Sequence, residues 1–222
     1  RDLVGLVWQG DFVQGMTCKV MGDVVMTGDA AVTITNCAGM LNDVGEAPFW
    51  SHLLLEGSLS MSDRSSLSLT DLGNGGAITL HFGGSASSVL RGSSRVTFAR
   101  TKQENYGSAG VEVYAGNLTV TDAAELLVED TVGSNERGAA VWVQDYLTVA
   151  GTGRVTVRRA RAAGGTVGVE AMVLLLRDQA VVNVTDVETI DNFQEEYVWE
   201  EDKGDVLLGG VAVGVTLSLS MS

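Results

Sequence analysis

Glu112 and Tyr114 stand in the strand-like text Val111-Glu112-Val113-Tyr114, Trp142 in Val141-Trp142-Val143, and Glu170 directly after Val167-Gly168-Val169. Period-two alternation would put these acids and aromatics on one outward face. Two chemistries suit such a face. Aromatic rings would stack on the apolar side of a sugar while the acids accept its hydroxyls. Alternatively, a carboxylate pair would serve glycoside hydrolysis, or stacked carboxylates with an Arg or Lys base a polysaccharide lyase.

Other constellations are sparser. His52 and His81 are isolated, with no His-Glu-x-x-His and no Cys/His spacing for zinc. Gly73-Asn74-Gly75-Gly76 lacks the Lys-Ser/Thr that completes a phosphate loop and reads as a tight turn, and no Gly-x-Ser-x-Gly elbow occurs. The residues therefore assign no catalytic group, cofactor or metal ligand. Cys18 and Cys37 are the only cysteines, read either as two small buried hydrophobes or as one bridge in an oxidising compartment. Asn117-Leu118-Thr119 and Asn183-Val184-Thr185 are glycosylation sequons if the protein is secreted. Arg158-Arg159-Ala160-Arg161, with Arg154 before it, is the one basic patch. Pairing with neighbouring carboxylates is its expected role, and a sulfated-glycan contact the sharper one.

The elements that would position these residues are legible as an internal repeat. Apolar pairs six residues apart recur as Met26/Val32, Met61/Leu67, Leu90/Val96, Val120/Leu126, Val149/Val155 and Leu176/Val182. Two places after each first member comes a turn-former: Gly28, Asp63, Gly92, Asp122, Gly151 and Asp178. The anchors are spaced by 35, 29, 30, 29 and 27 residues, and each unit carries three short β-branched strands. Strands this short bury little alone, but stacking repeat on repeat makes a continuous apolar column. The fold expected is all-β: a right-handed parallel β-helix, a pectin-lyase-like solenoid of about 29 residues per coil and roughly seven coils. A sandwich of hairpins is the competitor.

Stacking would align Asn36, Asp71, Arg100, Asp130, Arg159 and Asp186, four residues after each strand opens. Their signs alternate from Asp71 onward, so each Arg would sit between two carboxylates. The rhythm fails twice, giving inserted loops near 38–52 and 188–206. The first holds Pro48, Phe49, Trp50 and His52. The second holds Asp191, Glu195, Glu196, Glu200, Glu201, Asp202 and Asp205 against Lys203, with Phe193, Tyr197 and Trp199 interleaved. It reads as a solvated acidic loop or, more sharply, as a site for a cation or basic partner.

Composition narrows the partners. A formal charge of −14 argues against nucleic acid and against an anionic membrane surface. Val206 to Leu219, the most apolar stretch, is interrupted by three glycines and reads as a strand, so no membrane insertion by this segment is expected. With no compositional break, residues 1–222 read as a single unit. The start at Arg1, without a leader-like region, reads as a fragment of a longer protein.

Ser93-Ser94-Arg95-Val96-Thr97-Phe98, Ala139 to Arg158 and Arg177-Asp178-Gln179-Ala180-Val181-Val182 resemble the large dispersed gene family surface proteins of trypanosomes. The resemblance is one of repeat texture over Val24 to Val187. It implies a β-helical ectodomain of a membrane-anchored surface glycoprotein, adhering to host cells or matrix and carrying no catalytic motif. The expected function is a non-catalytic, adhesin-like rod binding a host-cell or matrix protein or a glycan. A polysaccharide lyase or glycoside hydrolase on the same fold is the alternative.

Overall fold

The computed structural model describes residues 6–9, 18–20, 22–35, 53–55, 57–71, 79–82, 87–100, 112–133, 141–162 and 168–189. Among them there are eighteen strands and no helix. In chain order the strands are β1 (Leu6–Gln9), β2 (Cys18–Val20), β3 (Val24–Met26), β4 (Ala31–Thr35), β5 (Leu53–Leu55) and β6 (Leu59–Met61). Then come β7 (Ser66–Thr70), β8 (Thr79–Phe82), β9 (Ser87–Leu90), β10 (Arg95–Ala99), β11 (Glu112–Ala115) and β12 (Asn117–Val120). The last six are β13 (Glu125–Gly133), β14 (Val141–Val149), β15 (Arg154–Ala162), β16 (Val169–Leu176), β17 (Val181–Thr185) and β18 (Glu188–Thr189).

They form two sheets. Sheet 1 runs β1-β4-β7-β10-β13-β15-β17, with β18 also paired to β15. Sheet 2 runs β2-β5-β8-β11-β14-β12-β9-β6-β3, with β16 also paired to β14. Every pairing among the described residues is parallel. Two-residue hairpins join antiparallel strands only, so a hairpin sandwich is excluded for this region.

The register reproduces the sequence repeat. Met26, Met61, Leu90, Val120, Val149 and Leu176 are successive partners in sheet 2. Val32, Leu67, Val96, Leu126, Val155 and Val182 are successive partners in sheet 1. Beside them Ile34, Leu69, Phe98, Val128 and Val157 form a second buried column. Alternation turns these residues inward, and burying each stabilises by about 1.5–3 kcal/mol. Ser88 falls within an inward column of Leu59, Leu118 and Leu147; its hydroxyl accepts the Leu59 N–H at 3.0 Å, which satisfies the polar atom inside the core.

One corner is invariant because its turn is. The N–H groups of Ala30, Ser65, Ser94, Ala124, Gly153 and Ala180 each donate to the carbonyl three residues earlier. The second residue of every turn has positive φ: Gly28 64°, Asp63 60°, Gly92 69°, Asp122 60°, Gly151 65° and Asp178 61°. This is the geometry of a type II′ turn, which favours Gly and Asp. Gly and Asp alternate from repeat to repeat for a reason. Each Asp carboxylate accepts the N–H of the preceding Gly, Asp63 from Gly28 and Asp122 from Gly92 at 2.9 Å and Asp178 from Gly151 at 3.1 Å. A Cβ on Gly92 would lie 2.8 Å from the Asp63 backbone nitrogen, so that position admits no side chain.

Three differences from the sequence reading stand out. The strands of β14 and β16 run on through a corner where Gly116 separates β11 from β12, because Gln144-Asp145 and Met172 replace the glycine. The column Asp71, Arg100, Asp130, Arg159 and Asp186 is left-handed throughout, with φ of 50–55°. An isolated non-glycine residue pays about 1–2 kcal/mol for that conformation. Here the Asp71 N–H donates to the Ala99 carbonyl at 3.0 Å and the Arg100 N–H to Glu129 at 3.1 Å, bonds that bind one repeat to the next. The third difference is that inward residues of the last described repeat, Val182, Val184 and Leu176, are half-buried instead of buried.

Candidate functional site

Sheet 2 assembles most of the expected face. Val141 and Val143 of β14 are fully buried, and Trp142 stands between them in the strand. Tyr114 of β11 is its register partner on one side and Glu170 of β16 on the other. Glu170 is exposed. The fold therefore brings Tyr114, Trp142 and Glu170 to one level on three adjacent strands, about 4.8 Å apart. Glu112 lies on the same alternation but one step along, where it pairs with Thr79. His81, isolated in the sequence, is the partner of Tyr114 and so extends the column to β8. Its parity relative to Leu80, which pairs with Val113, was the signal that would have found it.

A bulge sharpens this face. Between Val143 and Tyr146 the β14–β16 register shifts, with Gln144 and Asp145 opposing Met172. The Asp145 N–H donates to the Gly116 carbonyl at 2.9 Å. The Tyr146 N–H donates to the Asn117 Oδ1 at 3.3 Å. Bulges re-aim the side chains around them, and here Tyr146 is 51% and Met172 76% exposed beside the column. Asn117, one of the two sequon asparagines, is thereby tied to the bulge by its amide oxygen. Asn183 lies half-buried in β17, paired with Thr156 of β15.

Electrostatics separate the two sheets. Sheet 1 and its corners hold paired charges. Arg64 grips Asp29 at 2.7 and 2.9 Å, Arg95 pairs with Glu125, and Arg158 binds Glu129 at 2.6 Å. Arg161 meets Glu188 at 3.0 Å. Of the basic patch, Arg158, Arg159 and Arg161 bind carboxylates, as expected, while exposed Arg154 of β15 makes no ion pair among the described residues. On the left-handed column Arg100 forks onto both oxygens of Asp71 at 2.7 Å. Arg159 forks onto Asp130 at 2.5 and 2.9 Å and reaches Glu129 at 3.0 Å.

The expected Arg between two carboxylates is thus corrected. Arg100 and Arg159 each fork onto the aspartate of the preceding repeat, and among the described residues neither hydrogen-bonds the aspartate of the next one, so the ladder is a series of pairs. Asn36, its first expected member, lies outside the described residues. The hydrogen-bonded fork of Arg100 lowers the Asp71 pKa, that of Arg159 lowers Asp130, and both arginines are raised in turn. The Gly28 N–H, then the Ser62 hydroxyl, lowers Asp63. The Ser58 N–H and hydroxyl do the same for Asp23.

On the outer face of sheet 2 the situation is reversed. Among the described residues no ion pair involves Asp145 or Glu170. Among the described residues the one Lys or Arg at this register level is Lys19 of β2, the partner of Leu54, which pairs with His81. It lies five strands from Glu170, about 24 Å at the usual spacing.

Cys18 falls in β2, while Cys37, His52, the loop at 38–52 and the acidic run from 190 to 206 lie outside the described residues. Among the described residues no group of acids, histidines and cysteines is placed to hold a metal ion, and no helix is long and apolar enough to cross a membrane. No protein-family model, curated protein or solved structure matches the chain.

Proposed function

We propose that the chain is a segment of a right-handed parallel β-helix, about 29 residues per coil over roughly seven coils, acting as a non-catalytic adhesin-like rod. It belongs at the cell surface or in the secreted space, on a parent protein anchored outside this segment. The partner is a host-cell or matrix protein or a glycan. The trypanosome surface-protein texture supports this reading, as does the parallel register that carries one repeat onto the next over the whole described length.

One observation carries the binding role. Exposed Glu170, Tyr146 and Met172 cluster at a bulge in an otherwise regular scaffold, at the level where Tyr114 and Trp142 are register partners. Apolar side chains exposed to this degree and clustered beside a bulge mark interaction surfaces.

Arrays of matrix proteins and glycans, probed with the whole chain, test the proposal. Capture of at least one partner by the parent chain, lost in Trp142→Ala, is the expected result. Release of unsaturated or reducing sugar from a polysaccharide panel, lost in Glu112→Ala, would replace the rod with an enzyme.

A further inference from the structure

Resting on the reading of the chain as a stack of parallel coils, we propose that the end of the stack formed by β16 and β17 is a docking surface for residues 211–219 of the same chain. That segment adds to sheet 2 as the next parallel neighbour of β16.

The end is open in two respects. Among the described residues β16 pairs only with β14 and β17 only with β15, and a free strand edge is a template for another strand. The inward side chains lack neighbours as well. Leu174 is 39% exposed, whereas Leu147 and Leu118, the preceding members of its column, are buried. Val169, Ala171, Leu176, Ala180, Val182 and Val184 are half-buried. At the other end of sheet 2, β3 also has a single described neighbour, β6, yet its Val24 and Met26 are buried. Position at a sheet end is thus no bar to burial, and the exposure at β16 marks a missing neighbour.

The chain itself carries a strand of the required spacing. Val211, Val213, Leu217 and Leu219 repeat the intervals of Val141, Val143, Leu147 and Val149, the buried residues of β14. Leu53, Leu55, Leu59 and Met61 keep the same intervals, as do Cys18, Val20, Val24 and Met26, and these pair strand to strand. Between the apolar pairs, Gly214-Val215 falls where β14 has the Gln144-Asp145 bulge that opposes Met172. β14 already fits β16 from one side. A second strand of β14 spacing would fit it from the other, setting Val211 beside Val169, Leu217 beside Leu174 and Leu219 beside Leu176. Residues 190–210 tether this segment to β18, which raises its effective concentration above that of a second copy.

Paired cysteines in the whole chain, in a Cys18→Ala, Cys37→Ala background, test the docking, with circular dichroism to establish that each variant is folded. Register partners on adjacent strands lie about 4.8 Å apart, within reach of a disulfide. Thr148→Cys with Leu175→Cys, partners in the structure, should cross-link and is the reference. Leu175→Cys with Ser218→Cys should cross-link within one chain to a similar extent. Thr216→Cys or Ser220→Cys in place of Ser218→Cys stands two residues out of register, about 8 Å away, and should not. Leu217→Asp with Leu219→Asp should speed amide exchange in β16 at least about tenfold, whereas Thr216→Asp with Ser218→Asp should change it less than about twofold.

A Leu175–Ser218 cross-link found only between two chains would give the end to a second copy and overturn the proposal. Cross-linking through position 216 or 220 instead, or through none of the three while the reference forms, would overturn it and leave the stacked coils standing. Failure of the Thr148–Leu175 reference in a folded variant would overturn the stack itself, and with it the rod reading above.

Discussion

The two sheets share one core and one repeat, yet their outer faces are finished differently. Sheet 1 carries Arg95 beside Glu125 and Arg158 beside Glu129, with Arg100 and Arg159 forked onto Asp71 and Asp130 at its margin. Sheet 2 shows Tyr146, Met172, Asp145 and Glu170 around a bulge, without such pairs among the described residues. The comparison teaches that the parallel scaffold is indifferent to what its outer positions carry. Sheet 1, Arg154 aside, has most of its charges matched within the chain and less left to offer a partner, and the bulge of sheet 2 has its charge and apolar surface available.

The largest effect should come from what the sheets hold in common. Phe98 is fully buried between them in the Leu69–Phe98–Val128 column. Phe98→Ala should cost about 3–5 kcal/mol in denaturant titration, with probes in both sheets unfolding together. Separate transitions for the two sheets would break the shared-core premise.

The corner ladder comes next. Gly92→Ala must place a Cβ 2.8 Å from the Asp63 backbone at φ of 69°. A loss of about 1–3 kcal/mol should appear as a lowered unfolding midpoint. An unchanged midpoint would mean that the corners are looser than their regular turn geometry indicates.

Acid should then act mainly on the ladders. Asp23, Asp63, Asp71 and Asp130 have pKa values below the ordinary one. Their stabilisation is complete above the unfolded value of about 3.9 and fades as pH falls through the lower folded values. The Tm should therefore be flat from neutral pH to about 5 and decline by on the order of a few degrees below about 4. Asp71→Asn combined with Asp130→Asn should flatten that decline, and a decline of the same size in the double variant would assign it elsewhere.

The smallest effect belongs to sheet 2. Glu170 is exposed and has no ion pair among the described residues, so Glu170→Gln should shift stability by less than about 0.5 kcal/mol. A larger loss, measured by the same denaturant titration, would make Glu170 a structural residue like those of sheet 1.

How far the sequence speaks follows the same division. The Met26-to-Leu176 anchors were readable because inward positions must be apolar, and the Gly/Asp corner was readable because few residues tolerate that φ. Arg100 and Arg159 were readable as members of a charge column but not as left-handed residues, since arginine has no intrinsic preference for that conformation. At Arg100 it goes with a backbone bond to Glu129 of the next repeat. The alignment of Trp142 with Glu170 follows from the repeat. The bulge at Gln144-Asp145 depends on a one-residue difference from Gly116 that no turn-forming residue announces. His81 joined the column only through its register with Tyr114.

Hydrogen–deuterium exchange on the whole chain, with and without a partner captured on the matrix-protein and glycan arrays, tests the division of labour most directly. The account predicts slowed exchange in β14 (Val141–Val149) and β16 (Val169–Leu176), with β15 (Arg154–Ala162) and β17 (Val181–Thr185) unchanged. Protection centred on β15 and β17, or none in β14 and β16 at saturating partner, would contradict it.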